Sequence, residues 1–328
     1  MNIKPRKFPQ YLNHLEALDR RLKANNQKSE RVKEALRKRR AGFKGEKELD
    51  YHVELLPEKE YYILNDLRLF DGRQYFQIDT LIISRHCYNI LEVKNISGIL
   101  HFDPKLNQLI RVQDGVEEAF PYPLIQVDRQ TYQLKKFLKL HNLPDLPVKS
   151  SVVIGNLRTI IKMTSHSNQI IEKIIHSAKV PLEILSLTKK IPKTLNDLQQ
   201  LKRISKKICK LNVELQRNAR EMMGIPISDI LTGVQCTKCL GLPMNRLRGT
   251  WCCQLCGHHS KNAHIKALSD YLLLIDNKIT NKETRDFLHI QSRTIAKKLL
   301  TSLNLPQIGT NKGRIYYLDH DIFTPFSK

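Results

Sequence analysis

Two cysteine pairs restrict this chain more than any other feature. Cys236-Thr-Lys-Cys239 and Cys253-Gln-Leu-Cys256 are separated by thirteen residues, giving C-x2-C-x13-C-x2-C. Each pair suits a tight knuckle, and four thiolates on two knuckles match tetrahedral Zn²⁺, with room between them for a β-hairpin. Gly241, Pro243 and Gly249 suit the turns, and Gly257 follows the second knuckle. Free buried thiols would not produce paired spacings of this kind. Cys252 offers an alternative ligand outside the spacing, and His258 or His259 could substitute for one. A site closed by four thiolates is expected to be structural, not catalytic. The chain holds 7 cysteines, an odd number, five of them crowded into 236–256. That distribution fits metal binding in a reducing, cytoplasmic compartment better than a disulfide framework. Cys87 and Cys209 stand alone and read as core or surface residues.

Charge narrows the partner. The 328 residues carry 55 Lys+Arg against 32 Asp+Glu, a formal net charge of +23. A polyanion is implied, with nucleic acid ahead of an anionic membrane surface. No apolar run reaches the length of a membrane-spanning helix, and MNIKPRKFPQ lacks the features of a secretory signal. The excess is uneven: residues 1–41 carry net +9, 42–186 carry 18 of each sign, and 187–220 carry net +8. The electroneutral block is also where strand-like sequence lies. The expected division is a basic helical arm at 1–41, an α/β block at 42–160 and a basic helical region at 161–232. The cysteine module follows at 233–260 and a small helical domain at 261–328. The arm is either a solvated helix packed loosely on the rest or a direct phosphate contact.

Residues 61–69, 75–84 and 88–96 read as consecutive strands, rich in Tyr, Ile, Leu and Val and separated by turn signals such as Asp71-Gly72. Two short strands are possible up to Val112. Residues 124–140 read as a helix, Val148–Ile154 as a further strand and 194–222 as one long basic helix. Helix, several strands, helix, strand is an α/β layer arrangement around a mixed sheet flanked by helices.

Asp79, Glu92 and Lys94 carry the chemistry of this block. Residues two apart in a strand share a face, so Glu92 and Lys94 point the same way. If 75–84 and 88–96 form a hairpin turning near Arg85–Cys87, Asp79 lies opposite Glu92 or Lys94, within one position. Two carboxylates that close repel, and each tends to protonate unless a cation holds them. A hard divalent ion bound by one or two carboxylates plus phosphate oxygens satisfies both. The lysine can then activate water or stabilise charge in the transition state of phosphodiester hydrolysis. Glu92-Val93-Lys94 is the only Glu-x-Lys in the chain. The structural alternative is a cross-strand ion pair on an exposed face, contributing about 0.2–1 kcal/mol.

The ordered set Gly42-Phe-Lys-Gly45-Glu46, Gln77-Ile-Asp79-Thr-Leu-Ile-Ile, Glu92-Val-Lys94-Asn95 and Gly98 resembles the nuclease-related domain family, NERD, over roughly residues 42–140. That family is assigned to the PD-(D/E)xK, restriction-endonuclease-like superfamily. The resemblance implies a restriction-endonuclease-like mixed sheet, with Asp79 and Glu92 holding Mg²⁺ or Mn²⁺ and Lys94 as the catalytic lysine. It makes Glu46 an additional acidic residue near the metal and Gln77 a residue lining the site. Tyr122-Pro-Leu-Ile-Gln126 is similar to the family's Asn-Pro-x-x-Gln signature, with Tyr122 in place of Asn. Gln126 is therefore a candidate substrate- or water-positioning residue.

The cysteine module is similar to a zinc ribbon. Beyond it, Lys261–Ile275 has a helical apolar face, and Thr280 to Glu283 reads as a capping box opening a helix through Leu288. Ser292 is a plausible N-cap for a helix over 293–303. Two short helices across a tight turn suggest helix-turn-helix, the second carrying Arg293, Thr294, Lys297 and Lys298 toward a DNA groove. The tail reads as a hairpin with Asn-Lys312-Gly at its tip and Arg314 beside it, like a wing. An ordinary helical hairpin packed on the cysteine module is the plainer alternative. Two functions follow: a metal-dependent DNA endonuclease, or a non-catalytic DNA-binding or regulatory protein whose sheet is a scaffold. RNA processing ranks lower, because the aromatic stacking pattern of an RNA-recognition sheet is missing.

Overall fold

The computed structural model describes residues 1–163, 168–195, 197–215, 217–319 and 323, with the backbone alone at Asn168, Gln169 and Lys312. Contacts divide the chain into two units, Met1–Lys7 with Lys38–Leu215, and Phe8–Arg37 with Gln216–Lys328. In chain order the first elements are β1 (Asn2–Lys4), α1 (Gln10–Arg21) and α2 (Ser29–Val53), and the unit boundary falls within α2.

The first unit continues with β2 (Tyr62–Phe70), β3 (Tyr75–Ile83) and β4 (Tyr88–Lys94), an antiparallel meander. The β3–β4 turn closes where Ser84 Oγ accepts from the backbone N–H of His86 and Cys87, both at 3.2 Å. It sets the register Thr80↔Leu91 through Ile83↔Tyr88, within the range that a turn near Arg85–Cys87 allows. Next come β5 (Ile99–Asp103), β6 (Gln108–Gln113), β7 (Val116–Pro121), α3 (Pro123–Leu140) and β8 (Val148–Ile154). Then follow β9 (Ile160–Met163), α4 (Asn168–Ile171), β10 (Ile174–His176), α5 (Val180–Lys190) and α6 (Leu198–Lys210).

The main sheet has the order β1-β2-β3-β4-β8-β10, with β8 parallel to β4 and β10 parallel to β8. A second sheet, β7-β6-β5-β9, takes three strands from between β4 and α3 and its fourth, β9, from after β8. The fold is mixed α/β, with mixed sheets flanked by helices. On one face of the main sheet, Leu134, Phe137 and Leu138 of α3 and Leu201, Ile204 and Ile208 of α6 meet Leu67, Ile78, Leu81 and Ile90. On the other, Leu49 and Val53 of α2 and Val180 and Ile184 of α5 meet Ile63, Ile82 and Val153. Burying each such side chain contributes about 1.5–3 kcal/mol relative to exposure. Alternation slips at Asp66, which is left-handed (φ 51°): Ile78 and Leu81, three apart, join the same core. Asp79 sits in that slip.

Strands β1, β9 and β10 lie where the sequence reading expects no strand, and two further elements differ from it. Strand β7 follows β6 where none is expected, because its residues 116–119 are exposed and show no apolar alternation. The single helix expected over 194–222 is interrupted after Lys210. There the chain turns to bond β2: Asn212 Oδ1 accepts from Arg68 N at 2.9 Å, and Val213 N donates to Arg68 O at 3.0 Å. A short helix, α7 (Ala219–Met222), resumes in the second unit.

In the second unit, α1 buries Leu12, Leu15 and Leu18. Arg20 Nη2 and Arg21 Nε donate to the two oxygens of buried Asp270 at 2.8 and 2.7 Å. Strands β11 (Asn245–Leu247), β12 (Thr250–Cys252) and β13 (His259–Ser260) form an antiparallel sheet beside the cysteines. They are followed by α8 (Ala263–Leu274), β14 (Lys278–Thr280), α9 (Asn281–Leu288) and α10 (Arg293–Ser302). Strands β15 (Gln307–Ile308) and β16 (Ile315–Tyr317) complete a second small sheet of order β14-β16-β15. Thr280 and Glu283 form a reciprocal capping box, and Ser292 Oγ accepts from Ile295 N. Among the described residues, no helix is long and apolar enough to cross a membrane.

Candidate functional site

The site lies around the carboxyl end of β4, where β3, β4, α2 and α3 each deliver a side chain. Asp79 Oδ2 accepts from Val93 N at 2.9 Å, so the β3 carboxylate faces β4 directly. Glu92 is buried, and its Oε1 accepts from Lys94 Nζ at 2.8 Å. Lys94 Nζ also donates to Gln126 Oε1 at 3.0 Å, tying the strand lysine to the first turn of α3. Asp79, Glu92, Lys94 and Gln126 thus come together. Gln77 is exposed and contributes its backbone carbonyl, which accepts from Gln130 Nε2 at 2.9 Å.

Sequence reasoning missed Gln130. One turn beyond Gln126 on α3, it is buried and its Nε2 donates to Glu92 Oε2 at 2.8 Å. Both oxygens of Glu92 are therefore engaged. The i, i+4 relation to Gln126 was the available signal. Tyr122, at the departure from the family signature, turns inward and packs edge-on against Phe102, with ring centroids 6.3 Å apart.

Glu46 sits behind Asp79. Its Oε2 accepts from Arg6 Nη1 at 3.1 Å and its Oε1 from Arg39 Nη1 at 2.7 Å. Arg6, also missed, has a fully buried side chain that reaches Asp50 at 3.2 Å, Asp66 at 2.6 Å and Thr80 Oγ1 at 2.8 Å. Its Nη2 donates to the backbone carbonyl of Asp79 at 3.1 Å. In sequence it is one cation in a basic stretch, with nothing to mark it. Burial alone would lower the Arg6 pKa, but Asp66, Asp50, Glu46 and Asp79 raise it above its ordinary value. Gly45 explains how α2 comes this close: a Cβ there would collide with Asn95 Cβ, and one on Gly155 would lie 3.0 Å from Gly45 Cα.

Electrostatics single out Asp79. Burial first, then the Glu92 and Glu46 carboxylates, push its pKa up to about 8 against the opposing effects of Val93 N–H and Lys94. Neighbouring desolvated carboxylates fit a hard divalent cation, which would remove the repulsion. The donors present, Asp79 and Glu92, suit such an ion.

The chain carries a nuclease-related domain: residues 41–155 match the NERD family model. No curated protein and no solved structure matches the chain. The NERD span runs from within α2 to Gly155, just past β8, longer than the resemblance over 42–140. It contains Glu46, Gln77, Asp79, Glu92, Lys94, Gln126 and Gln130, but neither Arg6 nor β10, α5 and α6.

Outside the NERD domain, Cys236, Cys239, Cys253 and Cys256 gather with their sulfurs all within 4.8 Å of one another. Cys236 Sγ lies 3.7 Å from Cys256 Sγ, and Cys239 Sγ 3.5 Å from Cys253 Sγ. A tetrahedron with metal–sulfur bonds of about 2.3 Å has edges of about 3.8 Å, so the cluster is compatible with Zn²⁺. Cys252 and His259 pair with each other at 3.7 Å, and His258 bonds Thr237 Oγ1 at 3.0 Å, so none of the three joins the cluster. Arg293, Lys297 and Lys298 are exposed on α10, while Arg314 is half-buried before β16. The side chain of Lys312 lies outside the described residues. These basic residues belong to the second unit and the carboxylates to the first.

Proposed function

We propose that the protein is a metal-dependent nuclease that hydrolyses phosphodiester bonds of DNA. The observation that carries this is the convergence of Asp79, Glu92 and Lys94 at the end of β4, with Asp79 raised to about 8 and backed by Glu46. Asp79 and Glu92 are the residues that would hold Mg²⁺ or Mn²⁺. When bound, the ion supplies charge neutralisation and polarises the phosphoryl oxygens. Lys94, held by Glu92 and Gln126, orients the attacking water or neutralises charge on the phosphoryl group in the transition state. Gln126 positions that amine, and Gln130 fixes the Glu92 carboxylate from the other side. Glu46 acts through the local field, since both its oxygens bond arginines.

In the second unit, the four-cysteine cluster is proposed to hold a structural Zn²⁺ as a zinc ribbon. The α9–turn–α10 pair with its β14-β16-β15 sheet supports a winged helix-turn-helix reading, with Arg293, Lys297 and Lys298 toward the DNA. Lys312 and Arg314 would serve the wing. The test is the full chain on supercoiled, linear, branched and single-stranded DNA with Mg²⁺ or Mn²⁺, beside Asp79→Ala and Lys94→Ala. Both variants should lose cleavage and keep duplex binding. Cleavage unchanged in both would overturn the reading, and tight binding with no turnover on any substrate would favour a regulatory DNA-binding protein.

A further inference from the structure

The electroneutral sum over 42–186 hides a segregation that folding creates. Helix α3 exposes Arg129, Lys135, Lys136 and Lys139, while its acidic Asp128 is bound by Lys173 Nζ at 2.8 Å. Helix α6, from outside the block, packs on the same sheet face and contains no acidic residue. It exposes Lys202, Arg203, Lys206, Lys207 and Lys210. The two helices meet where Lys207 Nζ donates to His141 O, the C-cap of α3, at 2.7 Å. One continuous helical layer therefore presents nine basic side chains, with Gln126 and Gln130 of the carboxylate site at the opposite, N-terminal end of α3.

We propose that the α3–α6 layer is a duplex-DNA-binding surface that leads the phosphate backbone to the carboxylate site, distinct from the basic residues of α10 and the wing. Its role as a substrate track rests on the nuclease reading. Three observations favour this occupant. The exposed charge on the two helices is nine basic side chains against Asp128, which Lys173 already pairs, so a polyanion neutralises it and releases counterions. From Gln126 to Lys139 the helix rises about 20 Å at 1.5 Å per residue, the span of about six phosphates along a strand. Tyr132, with the Lys136 ammonium 5.2 Å from its ring, is the only aromatic side chain exposed on the layer, so the layer lacks the succession of aromatic rings on which single-stranded bases stack.

The test is duplex binding by the full chain across a salt series, with Ca²⁺ replacing Mg²⁺ or Mn²⁺. The variant Lys135→Gln/Lys139→Gln/Lys206→Gln is compared with Lys105→Gln/Lys162→Gln/Lys189→Gln, which removes the same charge from elsewhere on the unit. All six side chains are exposed, so both variants should melt like the parent. The layer variant should flatten the slope of log affinity against log salt by about 2.7, about 0.9 for each phosphate no longer neutralised. The control should leave it within about 1 of the parent. An unchanged slope in the layer variant, or equal flattening in both, overturns the proposal. So does tighter parental binding to duplex RNA or to phosphatidylserine vesicles than to duplex DNA. Flattening in a protein that cleaves nothing with Mg²⁺ or Mn²⁺ removes the nuclease reading and leaves the surface. Cleavage with an unchanged slope does the reverse.

Discussion

Gln130 Nε2 donates to Glu92 Oε2 at 2.8 Å and to the Gln77 carbonyl at 2.9 Å, so one amide nitrogen joins α3 to both β4 and β3. The buried carboxylate depends on that donor. Gln130→Ala should cost about 1–3 kcal/mol in urea melts, the penalty for an unsatisfied buried acceptor. A loss within about 0.3 kcal/mol would show that Glu92 finds another partner.

Without a divalent cation, Asp79 makes stability fall as pH rises. Its folded pKa of about 8 lies above the 3.8 of the unfolded chain. Between those values the folded state binds more protons, so the stabilising contribution present below 3.8 is lost as pH passes through 8. The effect is on the order of a few kcal/mol. Asp79→Asn should flatten the profile of melting temperature against pH over that window, and saturating Mg²⁺ should flatten it in the parent. An identical slope in parent and Asp79→Asn would assign the effect elsewhere.

Arg6 offsets the charge of three acidic residues at once. Removing it leaves Glu46 with Arg39 alone, Asp50 with the Lys47 ammonium at 3.5 Å and Asp66 without its guanidinium. Arg6→Ala should cost about 3–5 kcal/mol, as breaking a buried ion pair does. Arg6→Lys should recover only part of it, because an ammonium cannot span the contacts of the guanidinium fork. Equal stability of the two variants would contradict this.

The chain has 1 tryptophan, and Trp251 is buried on β12 between the cysteine knuckles. Its Nε1 donates to His264 Nδ1 of α8 at 3.2 Å, so its emission reports on that module and the core it packs into. If the cluster holds Zn²⁺, a strong chelator or Cys253→Ser should shift the emission to the red and release about one equivalent of zinc. The pH profile of the carboxylate site should not move. An unchanged spectrum after metal removal would mean that the four thiols need no ion to hold their shape.

What the sequence made legible follows from which forces act locally. The β3–β4 hairpin could be read, its register to within one position, because Ile, Leu, Val and Tyr crowd both strands; the turn around Ser84–Cys87 then fixes the pairing. Ser292 and the Thr280–Glu283 box could be read because capping is decided within four residues. Gln130 and Arg6 could not. A glutamine on a helix and an arginine in a basic stretch look solvated until distant strands close over them. The break after Lys210 depends on the backbone of Arg68, more than a hundred residues away, so helical periodicity alone overruns it.

The elements that lie beyond Gly155 bear on how the protein can be handled. Leu195, Leu201, Ile204 and Ile208 cover one face of the main sheet, while Ile175, Val180 and Ile184 cover the other. A recombinant fragment cut at 41 and 155 would contain every proposed catalytic side chain, yet present bare aliphatic surface on both sides. It would also lack both arginines that hold Glu46, Arg6 and Arg39. Insolubility or inactivity of such a fragment would therefore reflect a missing shell and would say nothing about the chemistry.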